Sequence, residues 1–249
     1  MRLTVLGCAG TFPNADSPCS AYLLEHDGFR LLLDLGHGAL GGLQRHSGLL
    51  EVDAVMVSHL HADHCLDLIP YSYARRFHAD GPAPVLPVYG PAGTQHRLVV
   101  AFGPARPADG LLEVYDFRTT TAGQTAIGPF EVALTPTAHP VETYAPTVSA
   151  GGRRLTYSAD TGPSDALARA AAGSDVFVCE ATWVADRDYP PDLHMTARDA
   201  GAHAARAGVG RLLLTHTTPF TSPDRLLEEA GAEYAGPLEL ARAGTTYDV

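Results

Sequence analysis

Hydrophobic and polar positions alternate along this chain in short segments that predict strands interspersed with helices. Apolar runs bounded by glycine, proline or small polar residues are typical of strands, and apolar residues three or four positions apart are typical of helices. The predicted strands are Arg2–Leu6, Ala21–Glu25, Phe29–Asp34, Val52–Ser58, Val85–Tyr89, Glu113–Arg118, Gln124–Ile127, Phe130–Thr137, Tyr144–Ala150, Arg153–Ser158, Asp175–Cys179 and Arg211–Thr215. The predicted helices are Gly38–His46, Leu66–Phe77, Gly93–Phe102, Ser164–Ala172, Thr196–Ala207 and a last one with Ser222 as N-cap and Pro223 as its first residue.

Strands occur in both halves of the chain, and helices fall between them. This order predicts two packed sheets with helices outside, which is a four-layer αββα sandwich of the α/β (α+β) class. We find no internal repeat, linker or low-complexity tract, so we expect a single domain over residues 1–249. A chain of this length has enough residues to bury a large core without disulfide or metal support.

The charge composition argues against some partners. The formal net charge is −11, and all 17 basic residues are arginine. An acidic chain is a poor partner for long nucleic acids, whose binding depends on basic groups, and the lack of lysine excludes a Walker-type nucleotide site. No apolar run approaches the roughly 20 residues that span a bilayer, so we expect no membrane partner. The N-terminus shows no signal-peptide pattern, and we expect a cytoplasmic protein.

The four cysteines, at positions 8, 19, 65 and 179, contain no Cys-x-x-Cys pair. This spacing favours reduced thiols over a disulfide framework or a zinc–cysteine site. We expect Cys8, Cys65 and Cys179, which adjoin apolar runs, to be small buried hydrophobic residues.

The strongest chemical signal is the segment Ser58-His-Leu-His-Ala-Asp-His64, which directly follows a predicted strand. A tight turn from strand to helix would aim His59, His61, Asp63 and His64 into one cavity. Imidazole and carboxylate are the usual ligands of zinc and related divalent ions. The alternative, a polar loop with ordinary surface histidines, fits this spacing poorly.

Three further residues with metal-binding side chains come directly after predicted strands. His139 follows the strand that ends at Thr137, Asp160 the one that ends at Ser158, and His216 the one that ends at Thr215. Each residue taken alone has the character of an ordinary loop residue. Their shared placement, at the ends of rigid strands where functional groups are displayed, makes all three candidate ligands.

These seven residues, in this order, resemble the ligand set of the metallo-β-lactamase-fold hydrolases. The resemblance covers nearly the whole chain and implies that His59, His61 and His139 bind one divalent ion. It implies that Asp63, His64 and His216 bind a second ion, that Asp160 bridges the two, and that a homodimer is a candidate assembly. Zinc is the expected metal, with manganese and iron as alternatives, because such ligands accept several divalent ions.

A second pair of residues indicates one branch of this family. Glu180 follows the strand Asp175–Cys179, and His194 precedes the helix Thr196–Ala207. This resembles the Glu–His pair of ribonuclease Z-like phosphodiesterases, in which the acid orients the histidine and the histidine assists the leaving oxygen. We therefore expect Glu180 and His194 to be catalytic, together with Asp63, which would orient the attacking water.

The same resemblance has departures that bear on the substrate. No basic, glycine-rich arm of the kind that grips transfer RNA lies between His64 and His139. The similarity is greater to short members of the branch, which include atypical class II cyclic-nucleotide phosphodiesterases, so we expect a small phosphodiester such as a cyclic nucleotide. The alternatives are RNA 3′-end processing, another hydrolase on the same fold (thioesterase, lactamase or sulfatase), and a non-enzymatic binding module.

The stretch after the metal-binding segment leaves two interpretations open. Tyr71, Tyr73 and Phe77 could stack on a base, but their helical spacing favours core packing or a dimer interface. Arg75 and Arg76 could contact a phosphate, but an arginine pair on a helix is more typical of a solvated face.

Overall fold

Two seven-stranded sheets form the centre of the structure, a computed structural model that describes residues 1–103 and 108–249. The strands are β1 (Arg2–Gly7), β2 (Ala21–His26), β3 (Phe29–Leu33), β4 (Ala54–Met56), β5 (Leu86–Gly90), β6 (Tyr115–Thr119), β7 (Gly123–Ile127), β8 (Phe130–Pro136), β9 (Tyr144–Ala150), β10 (Arg153–Tyr157), β11 (Val176–Glu180), β12 (Leu212–Thr215), β13 (Leu238–Leu240) and β14 (Thr246–Asp248). The helices are α1 (Ala39–Leu43), α2 (Ala62–Cys65), α3 (Leu68–Arg76), α4 (Thr94–Phe102), α5 (Ala108–Val114), α6 (Asp165–Ala170), α7 (Ala197–Ala207) and α8 (Pro223–Glu233).

The two sheets have related topologies. The first has the order β14-β1-β2-β3-β4-β5-β6, and the second has the order β13-β12-β11-β10-β9-β8-β7. In each sheet, the first pairings along the chain are antiparallel and the next ones are parallel. The last strand, β14, completes the first sheet by pairing antiparallel with β1. The parallel strands β10, β11 and β12 therefore end at one edge of the second sheet, and the residues that follow them meet there.

Three clusters of buried side chains establish the layers. The central cluster joins the facing sides of the two sheets, with Leu31 and Leu33 of β3 among the same buried residues as Val176 and Val178 of β11. A second cluster lies between the first sheet and helices α1, α3, α4 and α5, and a third lies between the second sheet and helices α6, α7 and α8. This arrangement confirms the predicted αββα sandwich.

Most predicted elements are present, and the helix starts follow the expected capping chemistry. Ser164 caps α6 by accepting a hydrogen bond from the backbone N–H of Leu167 at 3.1 Å. Thr196 caps α7 through a reciprocal capping box with Asp199. Pro223 is the first residue of α8, as predicted.

Three predictions about the elements need correction. The predicted strand Glu113–Arg118 is wrong at its start, because residues up to Val114 belong to α5 and the strand begins at Tyr115. The predicted helix Leu66–Phe77 is shorter, since α2 ends at Cys65 and α3 begins at Leu68. Strands β13 and β14 were not predicted. Over the two described stretches, no helix has both the length and the apolar character needed to cross a membrane.

Candidate metal centre

The structure brings all seven predicted ligands together between the ends of the two sheets. Their donor atoms form two groups that share one carboxylate, and within each group the atoms lie within 4.8 Å of one another. The first group is His59, His61, His139 and Asp160, and the second is Asp63, His64, Asp160 and His216. Asp160 thus has the position expected of a bridging ligand.

The spacing of the donor atoms fits divalent ions. His61 Nδ1 lies 3.1 Å from His59 Nε2 and 3.2 Å from His139 Nε2. In the second group, His216 Nε2 lies 3.2 Å from an Asp63 oxygen and 3.4 Å from Asp160 Oδ1. Two ligands about 2.0–2.1 Å from one zinc ion at tetrahedral angles are about 3.3–3.4 Å apart. The observed separations are therefore those of ligands around a common ion.

Two buried polar atoms at the shared edge of the groups also indicate a cation. His64 Nε2 and Asp160 Oδ1 lie 3.2 Å apart, and among the described residues neither atom has a hydrogen-bond partner. Burying such atoms without a partner is costly, and a shared metal ion would satisfy both. The donor set and its burial therefore fit a pair of divalent ions.

The electrostatics of the cluster favour neutral imidazoles, with free lone pairs, in the first group. Burial lowers the pKa of His59, His61 and His139, so these imidazoles are neutral and able to bind a metal. Burial opposes a charge on His64 as well, but the carboxylates of Asp160 and Asp34 outweigh it and raise the pKa of His64. The carboxylates around His64 therefore favour positive charge at this position.

Strand ends position the cluster, and the backbone there is strained. His59 follows β4, Asp160 follows β10 and His216 follows β12. Among the described residues, six non-glycine residues have positive φ, and four of them surround the site: Thr11, Asp34, Ala159 and His216, with φ between 50° and 65°. Such conformations persist where the surrounding structure enforces them, and they concentrate at functional sites.

Asp34 orients His64, and this role was missed by the sequence analysis. The Asp34 carboxylate is fully buried and accepts hydrogen bonds from the Ser58 backbone N–H at 2.7 Å and the Ser58 hydroxyl at 2.8 Å. It also accepts hydrogen bonds from Tyr157 Oη at 3.0 Å and His64 Nδ1 at 2.8 Å. Because the Nδ1 proton is held there, Nε2 presents its lone pair to the second metal group. The only sequence signal for Asp34 was its position at the end of an apolar strand.

The Nδ1 atoms of three other ligands are also engaged. His59 Nδ1 donates to the Ser58 hydroxyl at 3.1 Å, and His139 Nδ1 donates to the Leu193 carbonyl at 2.9 Å. His216 Nδ1 donates to the Thr182 hydroxyl at 2.9 Å. Each of these hydrogen bonds holds the proton on Nδ1 and leaves the lone pair of Nε2 free, which is the arrangement typical of metal-binding histidines.

Two glycines allow the backbone of the ligand segments to approach closely. A Cβ atom on Gly36 would lie 1.9 Å from the Asp63 carbonyl oxygen, and one on Gly10 would lie 2.5 Å from the His216 carbonyl oxygen. Both contacts are with backbone atoms, so a side chain at either position would displace a ligand segment.

We expect Gly36→Ala to lower the free energy of unfolding by about 1–3 kcal/mol, the usual range for an overpacked site. The matched control is Gly41→Ala in α1, where a Cβ atom would meet no other atom within 4 Å. Guanidinium denaturation of both variants checks this expectation. A stability of Gly36→Ala equal to that of the control would contradict it.

Buried Glu180 and half-buried His194 form a pair beside the second group. His194 Nδ1 donates to Glu180 Oε1 at 3.1 Å, and the ring of His194 lies 5.2 Å from that of His216. The Glu180 oxygens also accept hydrogen bonds from the Thr161 N–H at 2.6 Å and the Thr182 hydroxyl at 2.9 Å, so this carboxylate is already engaged. Burial opposes a charge on His194, but Glu180 outweighs it and raises the pKa of His194.

The aromatic and arginine residues that follow the metal-binding segment lie elsewhere. Tyr71 is buried and its hydroxyl donates to the Leu49 carbonyl, as the core-packing interpretation expects, but Tyr73 and Phe77 are 50% and 68% exposed. Arg75 is buried and also donates to the Leu49 carbonyl, so the solvated-face interpretation is wrong for this arginine. Arg76 pairs with Glu113 at the surface at 2.9 Å, as the solvated-face interpretation expects.

The four cysteines are free thiols, and Cys8, Cys65 and Cys179 are buried as predicted. Cys19, for which burial was not predicted, is buried as well. Burial raises the pKa of Cys19 and of Cys65 to about 12, so both thiols are neutral.

Comparison with known proteins places the chain in a family. Residues 30–217 match the family model described as a β-lactamase superfamily domain. The chain belongs to the metallo-β-lactamase superfamily. This member is 42% identical to the uncharacterized protein ML1173 of Mycobacterium leprae over 253 residues, covering 100% of this chain and 89% of that protein. It is 29% identical over 304 residues to a ribonuclease Z of Myxococcus xanthus, covering 100% of this chain and 98% of the relative.

The superfamily member also resembles the probable metallo-hydrolase YhfI of Bacillus subtilis. The two sequences are 30% identical over 261 residues, which cover both proteins completely. The crystal structure of YhfI superimposes with a TM-score of 0.88 and covers 99% of each chain. Together with the His/Asp cluster, these similarities identify the chain as a metallo-hydrolase.

Proposed function

We propose that this metallo-hydrolase is a dinuclear phosphodiesterase that hydrolyses a small phosphodiester such as a cyclic nucleotide. The observation that carries the proposal is His194, held by buried Glu180 beside the two donor groups. Hydrolysis of a phosphodiester releases an alkoxide, which needs a proton in the transition state. A thioester hydrolase on this fold would release a thiolate, which departs without a proton and has less need of an acid in this position.

The residues of this chain have distinct roles in the proposed reaction. Two divalent ions bound at the donor groups would supply Lewis-acid activation of water and of the phosphoryl oxygens. Asp63, whose Oδ2 accepts a hydrogen bond from the Thr11 N–H at 2.9 Å, orients the attacking water. Glu180 keeps Nδ1 of His194 protonated, and its charge favours a second proton on Nε2. From Nε2, His194 donates a proton to the departing oxygen, which completes the cleavage.

The composition of the chain supports a small substrate over a folded RNA. The net charge of −11 opposes long polyanions. The described residues between His64 and His139 belong to short helices, strands and their connections, not to an extended basic arm. The ribonuclease Z relative keeps RNA processing as the second candidate.

The test compares His194→Ala with the unaltered enzyme on two substrates that differ in leaving group. We expect the variant to lose about 10²–10⁴-fold in kcat on 3′,5′-cyclic AMP, the usual contribution of a general acid. The loss on bis-p-nitrophenyl phosphate should be much smaller, because p-nitrophenolate departs without a proton. Metal content, measured by mass spectrometry, should be unchanged.

The control is His46→Ala, which removes an exposed histidine and should retain full turnover on both substrates. Equal losses of His194→Ala on both substrates would contradict the role of His194 as an acid. A metal-loaded enzyme that hydrolyses thioesters, lactams or sulfate esters but no phosphodiester would overturn the proposed function. Cleavage restricted to precursor RNA would favour the second candidate.

A further inference from the structure

An open cavity of about 620 Å³ adjoins the candidate metal centre and is lined by His194. Two pairs of aromatic rings line it as well, and we refer to Phe12, Phe220, Trp183 and Tyr189 together as the aromatic cleft. Ligand sites in proteins usually have volumes of roughly 300–1,000 Å³. The cavity therefore has the size for a mononucleotide.

One pair of rings in the aromatic cleft adjoins the proposed acid. Trp183 stacks on Tyr189 with ring centroids 4.1 Å apart and an interplanar angle of 6°. The same Trp183 ring meets His194 edge-on at 5.2 Å. Since His194 in turn contacts His216, only one ring separates Trp183 from a predicted metal ligand.

The other pair is exposed to solvent at the cavity wall. Phe12 and Phe220 lie 5.7 Å apart, and they are 38% and 84% exposed. Both residues are close in sequence to groups of the candidate metal centre. Phe12 follows Thr11, whose backbone N–H donates to Asp63. Phe220 lies shortly after His216. An exposed phenylalanine at this place offers a flat apolar surface that a ligand ring would cover.

The polar groups of the cavity suit a heteroaromatic ring better than an aliphatic chain. Thr218, Thr221, Ser222, Arg187 and Arg225 line the same space. Flat rings combined with polar side chains recognise bases by stacking and edge hydrogen bonds, whereas an acyl chain would use only the apolar part of this lining.

We infer that the aromatic cleft is a subsite for the nucleobase of the substrate, with the phosphate at the donor groups. This inference rests on the proposed phosphodiesterase function, because it names a further part of the same substrate. The phosphodiester then lies next to His194, and the base extends past Trp183 toward Phe220. Base stacking is sequence-tolerant, so purine and pyrimidine nucleotides both fit the inference.

The test uses Trp183, the only tryptophan of the chain, as the reporter of binding. Metal-loaded protein is titrated with adenosine 5′-monophosphate and with ribose 5-phosphate, which carries the same phosphate and sugar without a base. We expect AMP to quench the tryptophan emission in a saturable manner and ribose 5-phosphate to leave it nearly unchanged. Equal responses to the two compounds would overturn the inference.

Phe220→Ala provides a second measurement, since its exposed ring can be removed without disturbing the core. We expect AMP to bind about 10-fold more weakly, or weaker still, and KM for 3′,5′-cyclic AMP to rise by a similar factor. The kcat value and the affinity for ribose 5-phosphate should stay within twofold. Phe77→Ala, which removes a 68% exposed phenylalanine that does not line the cavity, is the matched control.

The outcomes separate the two proposals. Indistinguishable behaviour of Phe220→Ala and Phe77→Ala overturns the nucleobase subsite, even when phosphodiesters are hydrolysed. A second possible result is that AMP quenches the emission, Phe220→Ala weakens this quenching, and the protein hydrolyses no phosphodiester. That result supports the nucleobase subsite and overturns the proposed phosphodiesterase function.

Discussion

Asp160→Asn is expected to disrupt both donor groups and to remove hydrolytic activity. Asp160 is the one residue common to the two groups, and its oxygens face His59 at 3.6 Å, His64 at 3.2 Å and His216 at 3.4 Å. An amide nitrogen in place of one oxygen cannot bind a metal ion, and it removes the negative charge that the ions would share. We expect metal content to fall from two ions to fewer than one per chain.

The loss of activity should exceed the roughly 10–100-fold that removal of an outer-shell partner costs. Turnover of bis-p-nitrophenyl phosphate and metal analysis by mass spectrometry are the measurements. Asp165→Asn is the control, because Asp165 is exposed and, within the part of the chain that the structure describes, pairs only with Arg206, at 2.7 Å. Two ions and normal turnover in Asp160→Asn would show that the shared carboxylate is not a ligand.

Zinc titration provides an independent readout of the same variant. A ligand that binds only the folded chain raises its thermal stability. We therefore expect added zinc to raise Tm of the chelator-treated unaltered protein and to leave Tm of Asp160→Asn nearly unchanged.

Asp34→Ala should cause the largest loss of stability. It removes the acceptor of four hydrogen bonds in a fully buried place, from two donors of Ser58 and from His64 and Tyr157. Leaving a buried group of this kind without its partner costs about 3–5 kcal/mol. Chemical denaturation of the chelator-treated protein measures the free energy of unfolding, and Asp53→Ala, which removes an exposed carboxylate bonded to the Arg30 N–H, is the control.

Asp34→Asn separates this structural role from control of the His64 tautomer. A side-chain amide in this place would face the Ser58 N–H with its oxygen and His64 Nδ1 with its NH₂ group. His64 would then carry its proton on Nε2, which no longer binds a metal. We expect a folded protein whose metal affinity is about 10–100-fold weaker. Competition with a chromogenic chelator measures this, and unchanged affinity would refute the tautomer argument.

The local elements of the fold were largely predictable because apolar periodicity and capping residues act over a few positions. The missed strands show the limit of that information. The strands β13 and β14 have only three residues each and pair at the edges of the sheets with β12 and β1. Their conformation depends on partners elsewhere in the chain, so their own residues carry little signal.

The same limit applies to the supporting residues of the candidate site. Asp34 shares with Asp160 the position at the end of an apolar strand, and that pattern alone could have suggested it. The Trp183–Tyr189 stack had no comparable signal, since its two rings are brought together by an irregular loop after β11.

By itself, the sequence determined the chemical identity of the candidate site: seven side chains of imidazole and carboxylate type, each after a strand, and a Glu–His pair. It could do so because ligand chemistry resides in residue type and strands can be predicted from periodicity. The family resemblance implied how the donors are grouped and that Asp160 is shared, and the tertiary structure brings the donor atoms of each group within 4.8 Å of one another. Only the tertiary structure decided that Asp34 holds the Nδ1 proton of His64. Those relations depend on distances between residues far apart in the chain, which the packing of the two sheets sets to within a few ångströms.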